Sequence, residues 1–293
     1  MLTIIISILA GGDIHGYRSQ NINEFNNNKG QIMNAQHTQN TVLLTGASRG
    51  IGFATLTRLL ESGYKVIATD YQMDDLETHC RELKEAYPNN LFLSCLDLTD
   101  LESIPSTVEG LIDQVGPVDH LVSCAGILHL QPILTMPMEQ LAHTFDVNVF
   151  GQVALMQTVG QRMKQQGTGN MVIVGSNAAN TPRANMGAYA ASKAALHMMV
   201  KCMGMELAST GIRCNIVSPG STRTDMQMQL WNEHYGEPQV IAGDASTFRL
   251  GIPLNKIAEP NDIANTILFL MSDAANHITL HDLRVDGGAT LDN

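Results

Sequence analysis

Short runs of apolar and β-branched residues alternate along the chain with longer segments whose apolar residues recur every three or four positions. Most of the short runs contain no polar alternation, which is typical of strands that are covered on both faces of a sheet. In the first long segment Phe53, Leu56 and Leu59 follow helical spacing, and Gly63 provides a stop signal. The same periodicity predicts helices over 138–163, 189–209 and 262–271. The short runs predict seven strands, over 41–45, 65–70, 91–96, 120–124, 170–175, 212–218 and 282–285.

Strands that alternate with helices along a chain form right-handed βαβ units. We therefore expect an α/β protein with a single-domain, Rossmann-type doubly wound fold, in which a seven-stranded parallel sheet carries helices on both faces. No repeat, linker or change of composition divides residues 33–293, which predicts a single domain over that range. Residues 1–32 contain a short apolar stretch followed by Asn-rich sequence. We interpret them as a disordered or non-native extension, with a targeting segment as the alternative.

The overall charge of the chain limits its possible partners. It carries 17 Lys and Arg against 28 Asp and Glu, a net charge of −11, which argues against nucleic-acid binding because that needs a basic face. No apolar run approaches the roughly 18 residues of a membrane helix, so no membrane association is expected. The five cysteines are odd in number and widely spaced, which argues against disulfides and a zinc site and favours a reducing compartment. The expectation is a soluble, cytoplasmic protein without a bound metal.

A glycine-rich loop, Thr-Gly-Ala-Ser-Arg-Gly-Ile-Gly at residues 45–52, lies between the first predicted strand and the first predicted helix. Its glycines allow a sharp turn and a close backbone approach to a pyrophosphate at the helix N-terminus. Asp70 ends the second predicted strand, where a carboxylate accepts hydrogen bonds from ribose hydroxyls and repels a 2′-phosphate. Arg49 could pair with such a phosphate, but solvent also satisfies an arginine, whereas Asp70 excludes the phosphate. We therefore expect NAD rather than NADP.

Asp97 closes the third predicted strand in the sequence Cys-Leu-Asp-Leu. Its carboxylate could accept a hydrogen bond from the adenine amino group of a dinucleotide. It could equally provide the N-cap of the helical segment that follows, a position that Asp favours. The sequence leaves both interpretations open.

Four polar residues in the second half of the chain are candidates for catalysis. Tyr189 and Lys193 lie four positions apart at the start of a predicted helix, so their side chains share one face. An ammonium beside a phenol favours the phenolate and lowers the pKa of the tyrosine towards that of a useful general base. Ser176 ends the fifth predicted strand, at the carboxyl edge where such sheets bind ligands. Asn148 lies in a helical pattern although Asn is a poor helix former, and capping or surface roles are the alternative for each residue.

The order of these motifs resembles that of the short-chain dehydrogenase/reductase family over about residues 40–290. The resemblance implies that Tyr189 is the acid/base, that Ser176 orients the reacting hydroxyl and that Lys193 holds the nicotinamide ribose. It implies that Asn148 positions a water in the proton relay. The family's usual Asn-Asn-Ala-Gly turn appears here as Ser-Cys-Ala-Gly at residues 123–126, a departure that bears on local stability. The expected cofactor-binding residues are Thr45, Gly46, Ser48, Arg49, Gly50, Ile51, Gly52, Asp70, Asp97, Leu98, Ala125, Gly126, Tyr189, Lys193, Pro219, Gly220, Thr222 and Thr224.

Segments around the expected substrate pocket are similar to those of a subgroup of that family, the 2,3-dihydro-2,3-dihydroxybenzoate dehydrogenases of catechol siderophore biosynthesis. These segments are 125–128, 178–183, 213–222, 250–254, 263–270 and 277–280. The resemblance implies NAD-dependent oxidation of 2,3-dihydro-2,3-dihydroxybenzoate, with hydride transfer from C3 and aromatisation to 2,3-dihydroxybenzoate. It also implies a homotetramer. The expected substrate-contacting residues are Ser176, Arg183, Met186 and Tyr189.

The expected substrate is a carboxylic acid, which a guanidinium binds well. Arg183, on the loop between Ser176 and Tyr189, is the leading candidate, and a solvated loop arginine is the alternative. Residues 225–255 are predicted to form a lid over the substrate.

Two other functions are compatible with the fold. A 3-oxoacyl carrier-protein reductase, or another alcohol dehydrogenase of the same family, would favour NADPH and a basic docking surface. Asp70 and the acidic balance of the chain argue against it. A non-catalytic nucleotide sensor would have no need for the four candidate catalytic residues together.

Overall fold

Seven parallel strands form the centre of the molecule, in the order β3-β2-β1-β4-β5-β6-β7. This architecture comes from a computed structural model that describes residues 40–291, so the interpretation of residues 1–32 lies outside the described residues. The predicted doubly wound parallel sheet is confirmed, and each strand lies within a residue of its predicted range. The strands are β1 (Thr41–Thr45), β2 (Lys65–Asp70), β3 (Leu91–Cys95), β4 (His120–Ser123), β5 (Asn170–Val174), β6 (Arg213–Pro219) and β7 (Asp282–Val285).

Helices cover both faces of this sheet. The α-helices are α1 (Gly50–Glu61), α2 (Met73–Ala86), α3 (Ser103–Val115), α4 (Met138–Phe145), α5 (Gln152–Gln166), α6 (Gly187–Ala208), α7 (Asp225–Met228), α8 (Glu237–Ala242) and α9 (Pro260–Met271). Buried side chains of α3, α5 and α6 belong to one apolar core. Those of α1, α2 and α9 belong to a second core on the other face of the sheet.

The central strand β1 contributes side chains to both apolar cores. Leu43 packs with Leu121 in one core, whereas its neighbour Leu44 packs with Leu56 in the other. Successive side chains of a strand point to opposite faces, so a strand covered on both sides is apolar along its whole length. All five residues of β1 are buried. Full burial of each aliphatic side chain stabilises the fold by about 1.5–3 kcal/mol.

The progress of the chain through the sheet reverses between β1 and β4. Strands β2 and β3 extend the sheet in one direction from β1, and β4 to β7 extend it in the other. At the carboxyl ends of the two central strands, Thr45 pairs with Ser123. In open α/β sheets such a switch point leaves a crevice that binds ligands. The candidate site of this protein lies there.

The helix predicted over 138–163 is interrupted. A π-helical segment, Asp146–Gly151, separates α4 from α5. Gly151 packs so closely on Leu98 that an added Cβ would lie 2.1 Å from the carbonyl oxygen of that residue. Hydrogen bonds to the main chain of Ile127 hold the side chain of Asn148. The wider π-helical turn therefore accommodates contacts with neighbouring loops, which the helical periodicity of the sequence does not predict. Such π-bulges are frequent at functional sites.

Candidate active site

A cleft of about 770 Å³ opens at the carboxyl edge of the sheet. Its walls come from the loops that follow the first six strands, together with the segment predicted as a lid. The structure brings all of the sequence-predicted site residues to these walls except Asn148, which lies buried behind them. Residues that are far apart in the chain thus share one cavity.

The glycine loop follows β1 and leads into α1. Gly46 and Gly50 have positive φ angles, 69° and 53°, which glycine adopts without a steric penalty. Gly52 packs against the loop so tightly that an added Cβ would lie 1.8 Å from the carbonyl oxygen of Gly46. No side chain caps the N-terminus of α1. Its first backbone N–H groups are therefore suited to bind the pyrophosphate of a dinucleotide.

Asp70 lies at the end of β2 beside this loop. The backbone N–H and the hydroxyl of Ser48 donate to Asp70 Oδ2 at 3.0 and 2.6 Å, and the N–H of Tyr71 donates to Asp70 Oδ1 at 2.9 Å. Arg49, the residue that favoured NADP in the sequence, forms an ion pair with Asp75 of α2. The charge of Arg49 is thus partly offset, whereas Asp70 adds a carboxylate to the cleft wall. Both features favour NAD over NADP.

Asp97 is exposed on the cleft wall. Its Oδ1 accepts hydrogen bonds from the backbone N–H and the hydroxyl of Thr99, both at 2.8 Å, and so forms a local turn. The next helix, α3, begins at Ser103 and is preceded by Glu102. The N-cap interpretation of Asp97 is therefore wrong, because the helix begins too far along the chain. A hydrogen bond to adenine stays a prediction.

Tyr189 and Lys193 lie on one face of the first turns of α6. Lys193 Nζ is 5.9 Å from the centroid of the Tyr189 ring and donates to the carbonyl oxygen of Val174 at 2.9 Å. Both side chains are buried. Burial raises the pKa of Tyr189, and a hydrogen bond with Ser176 partly opposes that rise. Burial also lowers the pKa of Lys193 to about 8.

The predicted effect of Lys193 on the tyrosine therefore differs from what the structure shows. Spacing on the helix predicted a pKa of Tyr189 below its ordinary value, because a cation would lie beside the phenol. In the structure burial has the largest effect and raises the pKa, and the group that lowers it is Ser176. The reason is that Lys193 Nζ is directed to the end of β5, where it binds a main-chain carbonyl.

Buried His197 and partly buried Asp282 support Ser176 from behind, and the sequence analysis missed this pair. The backbone N–H of Ser176 donates to His197 Nε2 at 3.4 Å, and His197 Nδ1 lies 3.3 Å from Asp282 Oδ2. Burial raises the pKa of Asp282, but hydrogen bonds from His197 and Ser218 outweigh this effect and hold it below its ordinary value. An added Cβ on Gly175 would lie 2.1 Å from His197 Nε2. The sequence feature that could have identified His197 is its position one helical turn beyond Lys193, which places both side chains on the same face of the helix.

Asn148 clamps the loop that follows β4. Its Oδ1 accepts from the N–H of Ile127, and its Nδ2 donates to the carbonyl oxygen of Ile127, both at 2.9 Å. The same Nδ2 donates to Ser192 Oγ of α6 at 3.0 Å. Asn148 thus joins the π-helical segment to the catalytic helix. An added Cβ on Gly126 would lie 3.2 Å from Asn148 Oδ1 and 3.3 Å from Lys193 Nζ, so glycine lets both polar groups approach.

A buried hydrogen-bond network supports the turn in which Ser123 departs from the family pattern. The hydroxyls of Thr45 and Ser123 share a hydrogen bond of 2.7 Å, and Ser123 Oγ donates to Gln152 Oε1 at 2.6 Å. Gln152 Nε2 then donates to the carbonyl oxygen of Ala125 at 2.9 Å. These side chains tie the ends of β1 and β4 to α5. The sequence analysis did not identify Gln152, because a glutamine in a helical pattern gives no signal of burial.

The segment predicted as a lid contains the short helices α7 and α8. Val240 and Ile252 form a small apolar cluster there, against which Trp231 and Tyr235 pack. Thr224 Oγ1 accepts a hydrogen bond from the N–H of Gln227 at 3.3 Å and so caps α7. This segment has its own packing, separate from the two large cores. Within residues 40–291 no helix has the length and apolar character needed to cross a membrane.

A second cavity, of about 370 Å³, lies against the first. Arg183 and Met186, the predicted substrate-contacting residues of the loop before α6, line both cavities, and so do Tyr235 and Arg249 of the lid segment. The sequence analysis did not identify Arg249. The loop of Arg183 and the lid segment thus meet at this cavity.

Comparisons with known proteins cover nearly all of the described chain. A family model described as enoyl-(acyl carrier protein) reductase matches residues 46–290. The vibriobactin-specific 2,3-dihydro-2,3-dihydroxybenzoate dehydrogenase of Vibrio cholerae serotype O1 is 62% identical over 252 residues, which are 86% of this chain and 96% of that protein. The 2,3-dihydro-2,3-dihydroxybenzoate dehydrogenase of Bacillus subtilis is 44% identical over 266 residues, 88% and 99% of the two chains. A solved structure of ElxO with NADP bound has a TM-score of 0.78 at 26% identity, covering 86% of this chain and 99% of that one.

Proposed function

The chain belongs to the short-chain dehydrogenase/reductase family, and from this premise we propose that it oxidises 2,3-dihydro-2,3-dihydroxybenzoate to 2,3-dihydroxybenzoate with NAD, in siderophore biosynthesis. One observation carries the chemistry: Tyr189 and Ser176 line the same cleft as Asp70 and Arg183. The pair acts on a hydroxyl, Asp70 selects the dinucleotide, and Arg183 binds a carboxylate. These features correspond to a hydroxylated ring acid as substrate.

The cleft fits a nicotinamide dinucleotide. The tight packing of Gly52 on Gly46 leaves the loop backbone bare of side chains where a pyrophosphate binds. The glycine loop and α1 would hold the pyrophosphate, Asp70 the adenosine ribose and Lys193 the nicotinamide ribose. Pro219, Gly220, Thr222 and Thr224 would contact the nicotinamide end. NAD, when bound, accepts the hydride that leaves C3 of the substrate.

The residues of the chain carry the proton. Tyr189 Oη takes the proton of the C3 hydroxyl, and Ser176, which lines the same cleft, orients that hydroxyl. The C–H bond and the O–H bond at C3 break, which leaves a ketone. The ketone then tautomerises: the proton at C2 leaves and a proton binds the C3 oxygen, which gives the aromatic catechol. Aromatisation makes oxidation the favoured direction, which suits NAD.

The 3-oxoacyl carrier-protein reductase is the weaker candidate. It would need a basic surface for an acidic carrier and a pocket for the NADPH phosphate, whereas the chain has a net charge of −11 and Asp70 lies at that pocket. The relatives named as 2,3-dihydro-2,3-dihydroxybenzoate dehydrogenases, at 62% and 44% identity, also favour the diol acid.

The test follows NADH absorbance with purified protein and 2,3-dihydro-2,3-dihydroxybenzoate, with NADP and an acetoacetyl thioester as controls. We expect NADH to appear with the diol acid and NAD, and the controls to be at least tenfold slower. Tyr189→Phe should lose about 100-fold or more in kcat while NAD binding persists. Turnover of the thioester with NADPH, and none of the diol acid, would contradict the proposal.

We also propose a homotetramer in the cytoplasm, with residues 225–255 as a mobile lid. The tetramer is supported by apolar side chains on the outer face of α6, where Met198, Met199 and Met205 are 61%, 47% and 68% exposed, whereas Met203 packs against a core. Light scattering of the wild type and of Met198→Lys tests it. A tetrameric wild type and a smaller variant are expected, and a monomeric wild type would contradict the proposal.

A further inference from the structure

Arg249 and Arg183 approach one cavity from different parts of the chain. Arg183 belongs to the loop before α6, and Arg249 lies in the lid segment after α8. Both residues line the smaller cavity of about 370 Å³, and both also line the large cleft. Two positive charges therefore line the cleft that also contains Tyr189 and Ser176.

Neither guanidinium forms an ion pair with an acid in the described part of the chain. Within residues 40–291, Arg183 forms no ion pair, and its side chain has no hydrogen bond to the protein. Arg249 Nη1 donates to the hydroxyl of Tyr235 at 2.7 Å, and no acid pairs with it in the described part of the chain. Partly buried arginines usually have a carboxylate or phosphate partner, so this arrangement suits an anion from solution.

The carboxylates nearby are committed to other groups. Asp244 lines the small cavity, but its oxygens accept hydrogen bonds from Ser246 and Thr247. Asp286 accepts hydrogen bonds from Asn177 Nδ2 and from the N–H of Gly288. These acids accept hydrogen bonds from neutral donors, and within residues 40–291 neither of them forms an ion pair with Arg183 or Arg249.

The two arginines also affect each other electrostatically. Burial lowers the pKa of Arg183, and the positive charge of Arg249 lowers it further, whereas Asp286 and Tyr235 raise it. Two like charges in one partly desolvated cavity repel, and an anion between them relieves both the repulsion and the desolvation.

We propose that Arg249 completes, with Arg183, a two-arginine clamp for the ring carboxylate of the substrate. The inference rests on the proposed function, because it assigns a residue to the acidic group of that substrate. Tyr235 positions Arg249 through its hydroxyl. Since Arg249 lies in the lid segment and Arg183 does not, the bound carboxylate joins the two and closes the lid over the ring.

The clamp is tested first by kinetics of Arg249→Gln, with Arg249→Lys as the variant that keeps the charge. We expect Arg249→Gln to raise the KM for the diol acid by about 10- to 100-fold, the loss typical of one charge-assisted hydrogen bond, with kcat changed less and the KM for NAD unchanged. Arg249→Lys should lie between that variant and the wild type. The matched control is Lys256→Gln, which removes an exposed positive charge close to the lid segment and should behave as wild type.

A binding measurement separates the clamp from the reaction. Calorimetry with benzoate and benzamide, in the presence of NAD, compares an anion with a neutral ring of the same shape. The fluorescence of Trp231, the one tryptophan of the chain, reports on the lid because its ring packs in the apolar cluster there. We expect the wild type to bind benzoate at least tenfold more tightly than benzamide, with a change in fluorescence, and Arg249→Gln to lose this preference.

The outcomes distinguish the two proposals. If the wild type prefers benzoate and Arg249→Gln loses that preference, but the wild type does not oxidise the diol acid, the clamp stands and the proposed function fails. If the wild type oxidises the diol acid while Arg249→Gln keeps its KM and its preference for benzoate, the clamp is refuted and the function stands. A wild type with no preference for benzoate also refutes the clamp. If Arg249→Gln does not fold, Arg249→Lys provides the test. An Arg249→Lys variant with the KM and the benzoate preference of the wild type would refute the two-arginine clamp.

Discussion

Replacing the buried lysine of the active site should change how the stability of this protein depends on pH. Lys193 is 3% exposed, and burial lowers its pKa from 10.5 to about 8. In Lys193→Met a side chain of similar length remains, but the titrating group is gone. The ammonium that is costly to bury is therefore absent from the folded variant at every pH.

The magnitude follows from the two pKa values. At 1.36 kcal/mol for each pH unit, lowering the pKa from 10.5 to about 8 corresponds to about 3 kcal/mol. Below pH 8 both states of the wild type hold the proton, and the full penalty is present. Between pH 8 and pH 10.5 the unfolded chain keeps a proton that the folded protein has released, so the free energy of unfolding rises with pH. Above pH 10.5 both states are neutral, and the penalty has disappeared.

The assay is urea unfolding of both proteins, followed by circular dichroism at several pH values from neutral to alkaline. We expect the free energy of unfolding of the wild type, minus that of Lys193→Met, to increase by about 3 kcal/mol from below pH 8 to above pH 10.5. Groups that do not interact with Lys193 are present in both proteins and cancel in this difference. Cys124 does interact with Lys193, but burial raises its pKa to about 12, above the pH range that is compared. The variant also leaves the carbonyl oxygen of Val174 without its donor, which costs about 1–3 kcal/mol but does not depend on pH.

Lys256→Met is the matched control, because it removes an exposed lysine. Its difference from the wild type should stay constant over the same pH range. A difference for Lys193→Met that is equally flat would refute the reasoning, since it would mean that burial does not penalise the ammonium. A difference that falls with rising pH would refute it as well, because the sign requires the unfolded chain to hold the extra proton.

Three further predictions concern the cofactor loop and the support of the active site. Asp70→Ser should raise kcat/KM with NADP at least tenfold, because it removes a carboxylate that repels the 2′-phosphate. In the control Asp74→Ser, which removes an exposed carboxylate of α2, the NAD preference should persist, and a loss of preference there instead would contradict the assignment. Gly52→Ala should lower the free energy of unfolding by about 3 kcal/mol or more and abolish NAD binding, because its Cβ would lie 1.8 Å from a backbone oxygen. The control is Gly110→Ala in α3, where the new Cβ has open space around it. This variant should stabilise the protein by about 0.5–1 kcal/mol in thermal melts. His197→Gln should lower kcat about 10- to 100-fold, because the catalytic serine loses its support. The affinity for NAD, measured by calorimetry, should not change. If NAD affinity fell by the same factor as kcat, the variant would have disrupted the whole cleft, and a positioning role for His197 would be refuted.

The local sequence determined the elements of this fold. Each strand carries enough apolar and β-branched residues in one run to specify a strand covered on both faces, so all seven were located within a residue. The glycines at 46, 50 and 52 likewise require a backbone conformation and a close approach that are properties of the loop itself. The spacing of Tyr189 and Lys193 placed both on one helical face. These features depend on neighbours in the chain, which a sequence pattern records.

Tertiary packing decided the rest. The π-helical segment around Asn148 exists because Gly151 meets Leu98 and because the asparagine side chain clamps another loop. The support of Ser176 by His197 depends on α6 lying against the end of β5. The raised pKa of Tyr189 comes from burial among several elements, which spacing on one helix does not report. Arg249 shares a cavity with Arg183 only because the lid segment folds back over the sheet edge. Periodicity is a property of adjacent residues, whereas these contacts join distant ones, so only the folded chain could set them.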